Sequence, residues 1–327
     1  MVMFGLRYDL RNPSFAGTSS TERFAAALDM AGWADDLGGL TVSISEHHRS
    51  DDGYLPSPVV LAAAIAGRTR HIRVVIAALL APLYDPIRLA EDLAVLDALS
   101  AGRVDVILGA GYVAGEFEMF GVDLAERAER LTETVETLRK AWTGEEFVFR
   151  GRAVRVTPRP HRPGGPPLVL GGSSASAARR AARIGDGFLP VSGELWPAYR
   201  QEMTALGKQD PGEFMDMGAG VTYLASDVDS AWDELMPYFL HESNAYAEWL
   251  EAAGERGPYR RTTPEAIRVG GQYRVVTPAQ QVEELRAAGN MAFALLQPMV
   301  GGIPPARAWE SLKLFEHEVL PALGRPS

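Results

Sequence analysis

"HIRVVIAALLAPLYDPIRLAEDLAVLDALSAGRVDVILGAG", His71–Gly111, holds three elements in a fixed order. Ile72–Leu80 is an apolar run rich in β-branched residues, too short for a helix, and reads as a buried strand. Pro86–Leu99 places Leu89, Leu93 and Leu96 on one helical face. Arg103–Leu108 returns to strand. A strand, a helix and a strand with no hairpin turn between them mean parallel strands joined by a crossover.

The same unit repeats outward in both directions. Strands are expected at Val2–Tyr8, Leu40–Ser45, Pro166–Gly172, Gly187–Pro190, Gly218–Ala225 and Ala292–Gln297. Helices are expected at Thr21–Leu37, Ser57–Arg70, Ala125–Trp142, Ser174–Ile184, Pro305–Leu320 and, broken at Pro237, Ser230–Leu250. With the central unit this gives eight strands, which favours an α/β chain closed into a (β/α)8 TIM barrel as one domain over residues 1–327. Two long segments interrupt the pattern, Thr143–Pro166 and Tyr246–Val276. The second is expected to lie over the C-terminal face as a lid or wall.

Composition narrows the function. Hydrophobic residues make up 46% of the 327, enough for a large core. The net charge of -10 leaves no basic surplus for nucleic acid. The absence of cysteine removes disulfides, thiolate catalysis and cysteine-ligated metal, and suits a cytoplasmic protein. No run of ~18 uncharged apolar residues predicts a membrane span, and the start "MVMFGLRYDL" does not read as a signal peptide.

Two stretches carry chemistry. In "SISEHHRSDDGYLPSP", Ser43–Pro58, paired histidines leave the second strand. Val42 and Ile44 should face the helices, so Ser43, Ser45 and, by the same alternation, His47 should face the barrel interior. The plainer reading is a histidine that ties down a loop. No metal is expected, because adjacent histidines point apart and no third ligand stands at a suggestive spacing. In "PPLVLGGSSASAARR" a strand runs through Gly171 and Gly172 into a helix. Free N–H groups at a helix start bind anions, and Ser173, Ser174 and Ser176 add hydroxyl donors. Here the plainer reading is a serine cap after a glycine turn. "MVGGIPPARAW", with Gly301-Gly302, is a second candidate anion seat.

The stretches "SEHHRSDDGYLPSP", the block from His71 to Asp123, "PPLVLGGSSASAARRAARIGDGF" and "LKLFEHEVLPAL" together resemble the bacterial luciferase-like flavin monooxygenases, a family that includes F420-dependent reductases and dehydrogenases. The resemblance covers most of the chain. It implies a luciferase-like barrel with insertions at its C-terminal face, usually dimeric. It implies reduced FMN, or alternatively F420, at the barrel mouth. His47 matches the histidine that handles protons beside the flavin, and the segment from Gly171 to Ser176 matches the flavin-phosphate site. Ala77-Ala78 matches a non-prolyl cis peptide beneath the flavin ring, and Gly111 and Tyr112 match the ring pocket. At Ala110 the sequence departs from luciferase itself, which has an arginine there, so the resemblance points away from light emission. The implied activity is a two-component monooxygenase, with a separate flavin reductase, O2 and a small organic substrate. The alternatives are F420-dependent hydride transfer, with Arg179, Arg180 and Arg183 along an anionic tail, and a flavin-binding protein without turnover. Phe15, Tyr54, Tyr112, Trp196, Trp249 and Tyr259 are the candidate aromatic lining of a substrate pocket.

Overall fold

The structure, a computed structural model, describes residues 3–214, 220–255, 257, 259–289 and 292–324. Val2, Gly218 and Ala219, assigned to strands from the sequence, lie outside the described residues. The strands are β1 (Met3–Tyr8), β2 (Thr41–Ile44), β3 (Arg73–Leu80), β4 (Val104–Gly109), β5 (Phe147–Phe149), β6 (Arg152–Val154), β7 (Leu168–Gly172), β8 (Gly187–Pro190), β9 (Val221–Leu224), β10 (Tyr273–Val276) and β11 (Phe293–Leu296). The main helices are α1 (Ser20–Asp36), α2 (Pro58–Arg68), α3 (Pro86–Leu99), α4 (Ala114–Phe120), α5 (Arg127–Ala141), α6 (Ala175–Ile184), α7 (Trp196–Ala205), α8 (Val228–Ala253), α9 (Pro264–Val269), α10 (Pro278–Ala288) and α11 (Pro305–Leu314).

One parallel ladder runs β10-β9-β11-β1-β2-β3-β4-β7-β8 with helices packed around it, the α/β layout expected from the sequence. Among the described residues no backbone pairing joins β8 to β10, so the ladder has a seam there. The register β1–β2–β3 sets Leu6, Val42 and Val74 side by side, and all three are fully buried against the helices. The opposite faces look into the lumen, where Gly5 is required: a Cβ there would lie 2.4 Å from the Thr41 hydroxyl.

The structure differs from the sequence expectation at three places. The sheet has nine strands among the described residues, because the end of Tyr246–Val276 is the strand β10. The start of that same segment is the last turns of α8, so the true insertion is shorter. Thr143–Pro166 carries the antiparallel pair β5–β6. Finally, α8 runs through Pro237 without a break. A mid-helix proline costs ~3 kcal/mol or more, but Trp232 and Leu235 before it and Phe239 after it are all buried, and that packing holds the helix together.

Candidate active site

A parallel ladder brings all its C-terminal strand ends to one side, and the candidate residues gather there. Beyond β2, the His47 Nδ1 lies 2.9 Å from Glu116 Oε1, and the same oxygen accepts the His48 N–H at 2.8 Å. Glu116 comes from the first turn of α4, just beyond β4, and is almost wholly buried. An oxygen already accepting an amide N–H serves as acceptor to the imidazole too. That arrangement puts the ring hydrogen on Nδ1 and leaves Nε2 free to take a proton. Beside it, Glu46 accepts from the Leu80 N–H at 2.7 Å and the Tyr84 hydroxyl at 2.8 Å, and lies 2.9 Å from His48 Nε2. Burial, and then the Glu46 charge, push the Tyr84 hydroxyl well up, so it stays a donor. His48 is thus tied into the wall while His47 meets the lumen.

Aromatic rings close over His47. Its ring centroid is 4.4 Å from Trp249, 4.9 Å from Tyr54 and 5.9 Å from both Tyr112 and Tyr246. The Tyr54 and Tyr246 hydroxyls are 2.7 Å apart, and Tyr259 stacks on Tyr246 at 4.4 Å. The buried Arg11 guanidinium lies 4.7–4.8 Å from the ring centroids of Tyr54, Tyr246 and Trp249. Arg11 donates to Asp52, which also faces His241 Nε2 at 2.7 Å. Burial alone would raise the Asp52 carboxyl, but the His241 hydrogen bond and the Arg11 charge hold it well below the usual range. One turn before Tyr246, Glu242 accepts from the Tyr273 hydroxyl at 2.7 Å. Burial and the charge of Asp9 push Glu242 up to about 7, against the pull of Tyr273, Arg7 and Arg11.

Buried polar atoms without a hydrogen-bond partner cluster at these strand exits. Among the described residues, five of the eight such atoms lie there: Arg11 Nε and Nη2 after β1, Ser45 Oγ after β2, Glu116 Oε2 after β4 and Gln297 Nε2 after β11; the others are the Tyr8 hydroxyl, Arg23 Nε and Gln281 Oε1. Unmet buried groups are costly, so their concentration marks a place built for a polar ligand.

The second cluster starts α6. Ser174 caps that helix, its Oγ accepting the Ala177 N–H at 3.2 Å, and lies 2.9 Å from Ser176 Oγ. Gly172 is sterically required, because a Cβ there would sit 2.4 Å from that of Ala177, whereas Gly171 has ordinary room. The Ser173 hydroxyl donates to Glu255 Oε2 at 3.3 Å, and Arg127 Nη2 lies 3.6 Å from Glu255 Oε1. Burial and the nearby Arg127 both lower the pKa of Arg180, a sign of crowded positive charge that an anion relieves. Next to it a groove of ≈ 300 Å³ is lined by Thr132, Ser176, Arg179, Arg180, Arg183 and Ile184.

The rival seat at Gly301-Gly302 is closed. The Arg23 guanidinium takes up the carbonyls of Met299, Gly302 and Ile303, and the Gly301 N–H donates to Asp9. Both glycines are buried, with Tyr238 and Pro13 packed where side chains would go. The Ala77–Ala78 peptide is cis, at a shift in the β3–β4 register, and a Cβ on Gly109 would lie 3.0 Å from that of Ala78. Gly111 has φ +76 and packs on Phe117, aiming the chain so that Tyr112 reaches His47. Of the aromatic candidates, Tyr54, Tyr112, Trp249 and Tyr259 converge. Phe15 packs on Tyr238 and His241, and Trp196 on Tyr199 and Phe214, rather than on His47. Sequence reasoning missed Glu116, Arg11, Glu242, Arg127 and Glu255. The only signal was for Glu116, a carboxylate opening a helix just past a glycine-rich strand end.

The family model described as luciferase-like monooxygenase matches residues 4–291. The F420-dependent glucose-6-phosphate dehydrogenase of Nakamurella multipartita is 31% identical over 216 residues, 60% of this chain and 63% of that protein. The chain spans about half the length of the first curated relatives it matches. Among solved structures, the monooxygenase RslO1 from Streptomyces bottropensis superposes with a TM-score of 0.76 at 28% identity, over 98% of this chain and 100% of that one. The oxygenating constituent of 3,6-diketocamphane monooxygenase from the CAM plasmid of Pseudomonas putida, in complex with FMN, shares the fold with a TM-score of 0.70 at 20% identity, over 100% and 99% of the two chains.

Proposed function

The chain belongs to the luciferase-like monooxygenase family, and from that premise we propose a two-component monooxygenase that uses reduced FMN and O2 on a small organic substrate. One observation carries the reading. The same barrel face holds a histidine whose Nδ1 lies against the Glu116 carboxylate and, at the start of α6, a serine that already binds a carboxylate, that of Glu255. A carboxylate held by a serine hydroxyl and an arginine at a helix start is a fair stand-in for a phosphate, so these residues fit the flavin tail. Ser173, Ser174, Ser176, Arg127 and Arg180 would hold that phosphate, and Ala77-Ala78, Gly111 and Tyr112 would border the ring.

When bound, reduced FMN supplies the oxygen-activating chemistry. The chain supplies proton handling and shelter. His47 takes or gives a proton at Nε2 while Glu116 holds Nδ1 and steadies the imidazolium. Tyr54, Tyr246 and Trp249 keep water from the reacting edge. A separate reductase delivers the reduced flavin. The protein works in the cytoplasm as a homodimer, and exposed Val60 on α2 with Val95 and Leu99 on α3 supports an interface there.

The arginine-lined groove beside Ser176 favours a second reading, hydride transfer with F420, whose anionic tail would follow Arg179, Arg180 and Arg183. Equilibrium binding of FMNH2 and of F420 separates the two. The test of the proton role is His47→Ala, which should lower product formation with supplied FMNH2 by ~10²–10⁴-fold and leave flavin affinity nearly unchanged. Full turnover in that variant would place the proton handler elsewhere.

A further inference from the structure

We propose that Glu255 is a built-in surrogate for the cofactor phosphate, and that filling the anion seat is the event that uncovers His47. The inference rests on the flavin-phosphate reading above and adds a coupling to it. Gly254, at φ +63, ends α8, and the Glu255 N–H bonds to the Leu250 carbonyl at 2.9 Å. Glu255 is therefore part of the cap of the same helical turn that carries Trp249. Its carboxylate reaches Ser173, just ahead of α6, and Arg127, the first residue of α5, while Trp249 and Tyr246 cover His47 and Arg11. One short rigid piece of chain thus occupies both halves of the site. A phosphate on Ser173 and Arg127 expels Glu255. Expulsion frees the end of α8, and Trp249, the ring nearest His47, moves off it.

This arrangement orders the encounter. Every ligand that needs the open mouth first works against the Glu255 contact, so its apparent affinity falls by the fraction of open molecules. A phosphate-bearing flavin recovers that loss by replacing Glu255. A flavin without phosphate does not. Two separate ligands, inorganic phosphate and riboflavin, then bind the whole chain cooperatively, each raising the affinity for the other by the same factor.

The experiment uses the full chain and titrates riboflavin with and without inorganic phosphate. The wild-type protein should bind riboflavin about three- to fivefold more tightly when phosphate is present, as expected for breaking a partly exposed ion pair and hydrogen bond. E255Q should bind riboflavin more tightly by the same factor without phosphate, and phosphate should give it no further gain. Phosphate alone should change the tryptophan emission of the wild type, and W249F should lose that change. The proposal is overturned if phosphate competes with riboflavin or leaves its affinity unchanged, or if E255Q weakens FMN. The phosphate reading fails separately: it falls if the wild type binds FMN and riboflavin equally and phosphate leaves Trp249 emission unaltered. A melting temperature for E255Q close to wild type excludes a folding defect as the source of either result.

Discussion

Replacing Glu242 by Gln tests the electrostatics of the lumen. Glu242 is buried to 1% exposure among Asp9, Arg7, Arg11 and the Tyr273 hydroxyl. Burial and Asp9 raise its carboxyl from 4.5 to about 7. Below pH 4.5 the folded and unfolded chains both hold the proton, and the group contributes no pH dependence. Between 4.5 and about 7 the folded state keeps the proton and the unfolded chain releases it, so stability falls as pH rises. Above that window the slope vanishes again. The gap corresponds to about 3 kcal/mol. Gln cannot ionise, and it still offers an oxygen to Tyr273. The stability of wild type minus that of Glu242→Gln, from urea unfolding at steps across pH 4 to 8.5, should therefore decline by about 3 kcal/mol through the window and stay level outside it. A difference that is flat throughout, or that rises with pH, would refute the account of a neutral carboxyl held by burial.

Two further outcomes follow from the anion seat and the outer helices. Ser173→Ala with Ser174→Ala should weaken FMN by ~1.5–3 kcal/mol per hydroxyl donor in contact with the phosphate. It should not weaken riboflavin, which gains at most the roughly three- to fivefold that releasing Glu255 gives, and thermal stability should drop by ~1 kcal/mol for the lost α6 cap; equal weakening of both flavins by isothermal titration would move the phosphate elsewhere. Light scattering at micromolar concentration should give the mass of a dimer, and Val95→Glu combined with Leu99→Glu should shift it to monomer; a wild-type monomer removes the α2–α3 interface.

What the sequence disclosed followed from local rules. Strand alternation alone aimed Val42 and Ile44 at the helices, because the pleat leaves no other choice once one face is apolar; His47 lies past the end of β2, and Glu116 rather than the pleat holds its ring. The serine cap at Ser174 followed from a glycine turn ahead of a helix. The missing half depended on distant parts of the chain. Glu116 stands 69 residues beyond its histidine, and only the way α4 leaves β4 brings them together. Arg11 looked like one more polar residue after a strand, yet it ends up enclosed by rings from two distant segments. Pro237 read as a break within a helical stretch because local propensity carries no information about the packing of Trp232 and Phe239 on either side. By contrast α10 was signalled: Thr277 and Gln280 form a reciprocal cap around Pro278. That signal lay just past the Tyr246–Val276 stretch assigned to a lid or wall, in residues to which no element was assigned.

The lumen face of α8 presents Phe239, Glu242, Tyr246 and Trp249 in successive turns, whereas His47 and Glu116 leave the ends of two strands. On the function proposed above, what enters and what reacts are thus written on separate pieces of chain. A lineage can rewrite four positions on one helix and so acquire a new clientele, while the reactive histidine and its carboxylate pass down untouched. For laboratory evolution the same division sets the library: saturate those four positions together, and leave the strand exits alone.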